Sequence, residues 1–262
     1  EEWFKNGSLI TNYNQNLNEK YKLNIQSALQ TSRTYLRSTD LTNNVSSDTS
    51  LSSTINLEGY NLNKIDDKFL LNLSSYQVVQ GDEDNSLIPT VFPFISYSTG
   101  KSEYQKTEYE NTIQGYNIFR DKASGQFSRK QKKLSLYTKT NNEFIRYFSK
   151  FKFETELHNQ YYDTEGKLIN NELKNNSYYK FFPISAMSIE TPFRIKNRDL
   201  TYKPNISLII SSGQSNSNKL SNEESTNNNY NINTQSELNR YTGTDKLDNS
   251  KRIKYGINIY KS

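Results

Sequence analysis

Residues 150–163 read Lys-Phe-Lys-Phe-Glu-Thr-Glu-Leu-His-Asn-Gln-Tyr-Tyr-Asp, and the alternation within them decides the fold class. Phe151, Phe153, Leu157 and Tyr161 share one parity; Lys150, Lys152, Glu154, Glu156, His158 and Gln160 share the other. Side chains alternate across a strand, so an extended chain separates the apolar set from the charged set, whereas a helix would scatter both around its axis. The charged face carries too many charges for a protein core, and the apolar face needs a partner or lipid. A strand with lipid outside and a watery lumen inside meets both demands. On this reading Lys150, Lys152, Glu154, Glu156 and His158 face a lumen, and Phe151, Phe153 and Leu157 face lipid.

The same alternation recurs on either side. Tyr21, Leu23, Ile25 and Leu29 alternate with Lys22, Asn24, Gln26 and Gln30; Leu51, Ile55 and Leu57 with Ser52, Thr54, Asn56 and Glu58. Phe69, Leu71 and Leu73, then Leu134 and Leu136, then Ile206, Leu208 and Ile210, and last Ile253, Tyr255, Ile257 and Ile259 continue it. The pattern predicts about ten to twelve strands of roughly nine to twelve residues, long enough to cross a membrane when tilted. Turn-rich stretches at 39–48, 61–67, 81–86, 163–176 and 211–229 separate them, the last a Ser/Asn-rich run that reads as a mobile loop. Because proline cannot complete a central ladder, the stretch around Pro89 and Pro93 is expected to be irregular at its start and strand-like afterwards, and Pro183 and Pro192 to interrupt residues 181–193 similarly. Aromatics near strand ends, among them Tyr60, Tyr76, Tyr104, Tyr147, Phe148, Tyr161, Tyr162, Tyr179 and Tyr260, read as interfacial girdles. The expected fold is all-β, part of a transmembrane antiparallel up-and-down β-barrel. Both ends look cut from a continuing strand pattern, so residues 1–262 are expected to be a piece of one barrel domain.

Composition narrows the function classes. Only 32% of the 262 residues are hydrophobic, yet 20 Tyr and 13 Phe are too many for a solvated, disordered chain. There is no cysteine, so neither a disulfide framework nor a thiolate metal site exists within the stretch. His158 is the single histidine: without cysteine it is too little for a zinc site, and it sits among strand charges with no nucleophile-elbow motif near any serine for a Ser-His-Asp triad. Asp82-Glu83-Asp84 lacks the glycine and spacing of a calcium loop and reads as an acidic turn. Net charge is +5, and Arg129-Lys130-Gln131-Lys132-Lys133 is the one dense basic run. It reads as a solvated strand end, with nucleic-acid or headgroup phosphates as the alternative. No catalytic residue, metal or cofactor is expected. On the pattern alone, a porin or nutrient-receptor barrel stays open, as does a soluble β-rich binding protein whose apolar face packs on a second sheet.

An ordered set of segments adds a resemblance. It runs Arg33-Thr34-Tyr35-Leu36-Arg37; Ile55-Asn56-Leu57-Glu58-Gly59-Tyr60; Tyr76 through Tyr97, with Pro89 and Pro93; Phe181-Phe182-Pro183; Asn222-Glu223-Glu224-Ser225; and Asn239 through Tyr260, with Gly243, Asp245, Arg252, Tyr255 and Gly256. In order and spacing these resemble the β-barrel domain of the LptD family of lipopolysaccharide-assembly proteins, alphaproteobacterial members above all. The family's Gly-Tyr-Asp-Arg stands here as Gly243-Thr244-Asp245-Lys246, and its Asn-Glu-Asp-Ser as Asn222-Glu223-Glu224-Ser225. The family's soluble N-terminal jelly roll, its terminal barrel strands and its crosslinking cysteines are not in this stretch. The resemblance implies a translocon in the outer membrane of a Gram-negative bacterium. Such a protein takes lipopolysaccharide from the periplasmic bridge protein LptA and releases it into the outer leaflet around an LptE-like lipoprotein plug. Its gate lies between first and last strands, so this piece would be wall, with no nucleic-acid partner.

Overall fold

The computed structural model describes residues 7–32, 50–79, 84–195, 199–213, 220–224, 237–241 and 243–261. They form one antiparallel sheet: β1 (Ser8–Asn16), β2 (Tyr21–Gln30), β3 (Ser50–Tyr60), β4 (Lys68–Val78), β5 (Thr90–Ser98), β6 (Ser102–Tyr104), β7 (Thr107–Phe119), β8 (Lys130–Arg146), β9 (Ser149–Ile169), β10 (Glu172–Glu190), β11 (Phe193–Ile195), β12 (Leu200–Ser211) and β13 (Arg252–Lys261). β5 and β6 lie in line along β7, and β10 and β11 in line along β12, so thirteen strands make eleven up-and-down passes, within the expected range. Among the described residues β1 pairs only with β2, and β13 only with β12; the sheet is open, with these two as its edges. This is the wall of a partial barrel.

Successive antiparallel passes put their connections alternately at two ends. One end carries tight turns, at 17–20, 61–67, 105–106 and 147–148; the other carries the connections 31–49, 79–89, 120–129 and 212–251. The turn between β9 and β10 also lies at that second end but is tight, Asn170 and Asn171 both taking positive φ, a conformation that asparagine accepts more readily than most residues.

Register aligns one parity into a continuous apolar face. Ile25 pairs with Ile55 and Ile55 with Leu73; Leu71 with Ile95; Tyr97 with Ile113 and Ile113 with Leu136; Met187 with Leu208 and Leu208 with Ile253. This face is the exposed one: Ile113 is 52%, Leu134 60% and Ile253 69% accessible. Over β8–β10 the opposite face is buried and mostly polar, holding Gln131, Lys133, Ser135, Glu156, His158, Gln160, Thr164 and Lys180, with Phe182, Ile184 and Ala186 as its apolar patch. The sheet is thus inside-out relative to a soluble protein, whose buried residues are mostly apolar.

Three expectations need correction, and one about proline is met. Residues 163–176 are not a loop but the ends of β9 and β10 and the tight turn between them. Pro183 does not break β10. Its carbonyl accepts from Ser212 N on the β12 side, where that ladder begins, so the missing N–H costs no bond to β9. The stretch around Pro89 and Pro93 is irregular at its start and strand-like afterwards, as expected: Pro89 precedes β5, and Pro93 sits where the register of β5 shifts against both β4 and β7. Tyr162 is fully buried on the inner face rather than placed in a girdle.

Candidate functional site

One inner row crosses the sheet from Asn14 through Asn24, Asn56, Asn72, Phe94, Tyr116 and Lys133 to Tyr162. Its first four members are amides joined in pairs, Asn24 Nδ2 donating to Asn14 Oδ1 and Asn72 Nδ2 to Asn56 Oδ1. Its last members meet a different environment, because part of the connection between β12 and β13 returns onto the inner face of β7–β10.

Asp245 is the centre of that contact and is buried. Its Oδ1 accepts from Lys133 Nζ at 2.9 Å and from the Tyr162 hydroxyl at 2.9 Å. Its Oδ2 accepts from the backbone N–H groups of Glu223 at 2.9 Å and Glu224 at 3.0 Å, and from the Tyr116 hydroxyl at 3.3 Å. Burial alone would raise the Asp245 carboxyl; Lys133 and the two backbone donors outweigh it and hold the carboxyl below the usual carboxylate range. Lys180 Nζ donates to the Asp245 carbonyl at 2.9 Å. Glu224 accepts from Lys133 at 2.7 Å, Gln114 at 2.8 Å and Thr244 at 2.9 Å. Arg120 holds Glu223 through two bonds of 2.7 and 3.0 Å, the bidentate geometry that makes arginine–carboxylate pairs strong.

Further contacts fix the loop along its length. Ser221 N donates to Gln131 Oε1, and Gln131 Nε2 to the Ser221 carbonyl, each at 3.0 Å. Leu238 and Leu247 pack with Phe182, Ile184, Ala186 and Ile209 in the one sizeable apolar cluster among the described residues. Asp248 pairs with Arg240 and lies 3.5 Å from Arg252, which also donates to the Leu238 carbonyl at 2.7 Å. Gly243 has φ +74°, and a Cβ there would stand 2.7 Å from the Glu224 carbonyl oxygen, so only glycine fits. The run read as a mobile loop is therefore docked at 220–224; its residues 214–219 and 225–229 lie outside the described residues.

Beside the loop lies a cavity of about 200 Å³ whose lining includes Tyr137, Glu156, His158, Glu237 and Thr244. Among the described residues neither His158 ring nitrogen has a hydrogen-bond partner; Glu156 Oε2 stands 3.6 Å from Nε2, and the Tyr137 ring is 4.8 Å away. Toward the tight-turn end the inner face pairs its own charges, Lys152 with Glu154 at 2.8 Å and Lys139 with Glu156 at 3.8 Å. Lys150 pairs with Glu143 at 2.5 Å. On the other face Phe153 is 40% accessible, with Phe151 and Leu157 partly covered.

The segment residues fall in several places. Gly243, Asp245 and Arg252 belong to the docked loop and its anchor, and Asn222 stands beside Glu223. Tyr255 is 87% accessible on the outer face, and Gly256 faces Asn205. The Glu58 carboxylate accepts from the Tyr60 hydroxyl at 2.8 Å, and Gly59 leaves room for the Tyr21 ring. Arg33, Tyr35, Leu36, Arg37 and Ser225 lie outside the described residues, as do Asp82 and Glu83. Lys133, by contrast, was legible only as part of a basic run read as solvated; it is fully buried at the centre of the contact.

An antiparallel wall with a largely polar inner face, an apolar outer face and a docked inner loop has the construction of part of a β-barrel. A family model described as LptD, LPS transport system D, matches residues 5–260, and the chain belongs to that family. No curated protein matches the chain.

Proposed function

We propose that this chain is wall of an outer-membrane translocon that delivers lipopolysaccharide into the outer leaflet of a Gram-negative bacterium. The observation that carries the reading is the inversion of the sheet, an exposed apolar outer face over a buried and mostly polar inner face on β7–β10, in a chain of a lipopolysaccharide-transport family. Lys150, Lys152, Glu154, Glu156 and His158 line or brace the lumen; Phe151, Phe153 and Leu157 meet lipid. Tight turns mark the periplasmic end and long connections the cell surface, as in other outer-membrane barrels. The partners are lipopolysaccharide, an LptA-like bridge in the periplasm, an LptE-like plug and the surrounding lipids. The wall's part is passive: it offers a polar path and holds it open, with no catalytic residue.

The test is depletion of the full-length parent in its host while newly made lipopolysaccharide is followed. The expected result is arrest before the surface while other barrels still assemble. Lipopolysaccharide that reaches the surface, with only small-solute uptake reduced, would make the protein a porin or receptor.

A further inference from the structure

At the long-connection end, four buried cations face inward: Arg120 just after β7, Lys133 on β8, Lys167 on β9 and Lys180 on β10. The other inner positions there include Tyr116, Ile118, Gln131, Ser135, Gln160 and Thr164, and no carboxylate stands among the described ones. The acids that balance these cations come from the loop: Glu223 to Arg120, Glu224 and Asp245 to Lys133. Lys180 meets the Asp245 carbonyl, and Lys167 the carbonyls of Gly125 and Gln126. The tight-turn end differs, because Lys139 and Lys152 there have carboxylates of the wall itself. Arg120, Lys133 and Lys180 thus draw on the docked loop, whereas Lys167 is held by the β7–β8 connection. Once the loop lifts, these clustered cations face the lumen without its carboxylates, and a concentration of one sign of charge draws another anion to the same place.

We propose that the inner wall around Arg120, Lys133, Lys167 and Lys180 is an anion-binding site masked by the chain's own loop carboxylates. The ligand that displaces them is a phosphorylated saccharide of the transported lipid. This rests on the reading of the chain as a lipopolysaccharide translocon, and gives that translocon a loop that opens to its cargo. Phosphate monoesters carry about two negative charges and three acceptor oxygens, a match for the carboxylate oxygens that Glu223, Glu224 and Asp245 now present.

The experiment uses the full-length protein in detergent and follows tryptic cleavage after Lys246, beside the docked Asp245. A bis-phosphorylated glycolipid is expected to speed cleavage about tenfold, the scale of one hydrogen bond to a charged group. The same glycolipid stripped of phosphate should leave the rate unchanged, as should inorganic phosphate at equal concentration. Lys133→Gln should abolish the response. Glu224→Gln, which keeps the cations and removes one mask, should raise basal cleavage and tighten binding of the phosphorylated glycolipid. Equal responses to both glycolipids, or release by inorganic phosphate alone, would overturn the assignment, as would a Glu224→Gln protein with unaltered affinity. If depletion leaves lipopolysaccharide export intact, the transport reading fails whatever the loop does. If export stops on depletion and the loop ignores phosphate, only the anion site is lost.

Discussion

The inner row changes chemistry halfway along. From Asn14 to Asn72 it is a run of neutral amides bonded to their neighbours. From Tyr116 to Tyr162 it is aromatic and cationic and is covered by the loop residues Glu224 and Asp245. Both halves share a sheet, a register and an apolar outer face. A polar interior is thus built in two ways: by side chains that satisfy one another along the ladder, or by a second segment that brings opposite charge to them. The first tolerates water and change. The second depends on a buried network whose members leave large penalties behind when one is removed.

The largest effect should follow Asp245→Ala. It strips Lys133 of one carboxylate, two tyrosine hydroxyls of their acceptor and two backbone N–H groups of theirs. Breaking a buried charged pair costs about 3–5 kcal/mol. Urea titration of the full-length protein, read by the loss of folded mobility on a gel, should show a large fall in midpoint. A fall no larger than that of an amide in the neutral half would remove the distinction between the two constructions.

Next in size is a change on the outer face, which both halves share. Phe153→Lys should block assembly, since it sets a charge on the lipid side, a change that costs about 2–4 kcal/mol at the bilayer midplane. Glu154→Gln, one residue along on the inner side, should assemble normally. Equal tolerance of the two, scored by folded barrel in the outer-membrane fraction, would count heavily against a lipid-facing sheet.

Acid should separate the halves more gently. The Asp245 carboxyl sits below its ordinary value in the folded protein. Its contribution is therefore complete above the ordinary carboxylate range and is lost as pH falls through the lowered value. Asp248 is lowered as well, burial opposing and Arg240 favouring its charged form. The urea midpoint should hold from about pH 7 to about pH 5 and fall below about pH 4, where free aspartate begins to protonate. Asp245→Asn should close on wild type over that lower interval. A difference between the two proteins that stays constant down to about pH 3 would mean that the carboxylate's charge is not what pins the loop.

How much of this was legible in the sequence depends on contrast between the faces. Where Phe151, Phe153 and Leu157 alternate with Lys152, Glu154 and Glu156, period two is plain, and the structure puts the sets on opposite faces. At 163–176 charged residues fall on both parities and Leu168, Ile169 and Leu173 do not alternate with them, so no period is there to read. Gly166, Asn170-Asn171 and Asn175-Asn176 all signal turns, but only Asn170-Asn171 makes the turn between the strands. The docked loop was illegible for another reason. Charge at Lys133 and at Glu223, Glu224 and Asp245 is visible in sequence, but nothing local says that the two stretches meet. The family resemblance marked Gly243 and Asp245 without showing their partners.

The smallest expected effect is the one that tests the neutral half. Asn72→Ala removes the amide that donates to Asn56, at a half-buried position where water can take its place. An ordinary hydrogen bond contributes about 0.5–1.5 kcal/mol net, so the midpoint should move little and its pH dependence not at all. The Asn56→Ala, Asn72→Ala cycle isolates the pair, and its coupling should be no larger than either single loss. A coupling as large as the loss at Asp245 would mean that the amide ladder is as cooperative as the loop network. Neutral polar interiors would then owe their stability to the same interdependence as charged ones. A small coupling leaves β1–β5 as wall that holds its shape strand by strand, and concentrates the cooperative, switchable part of the interior where the loop meets β7–β10.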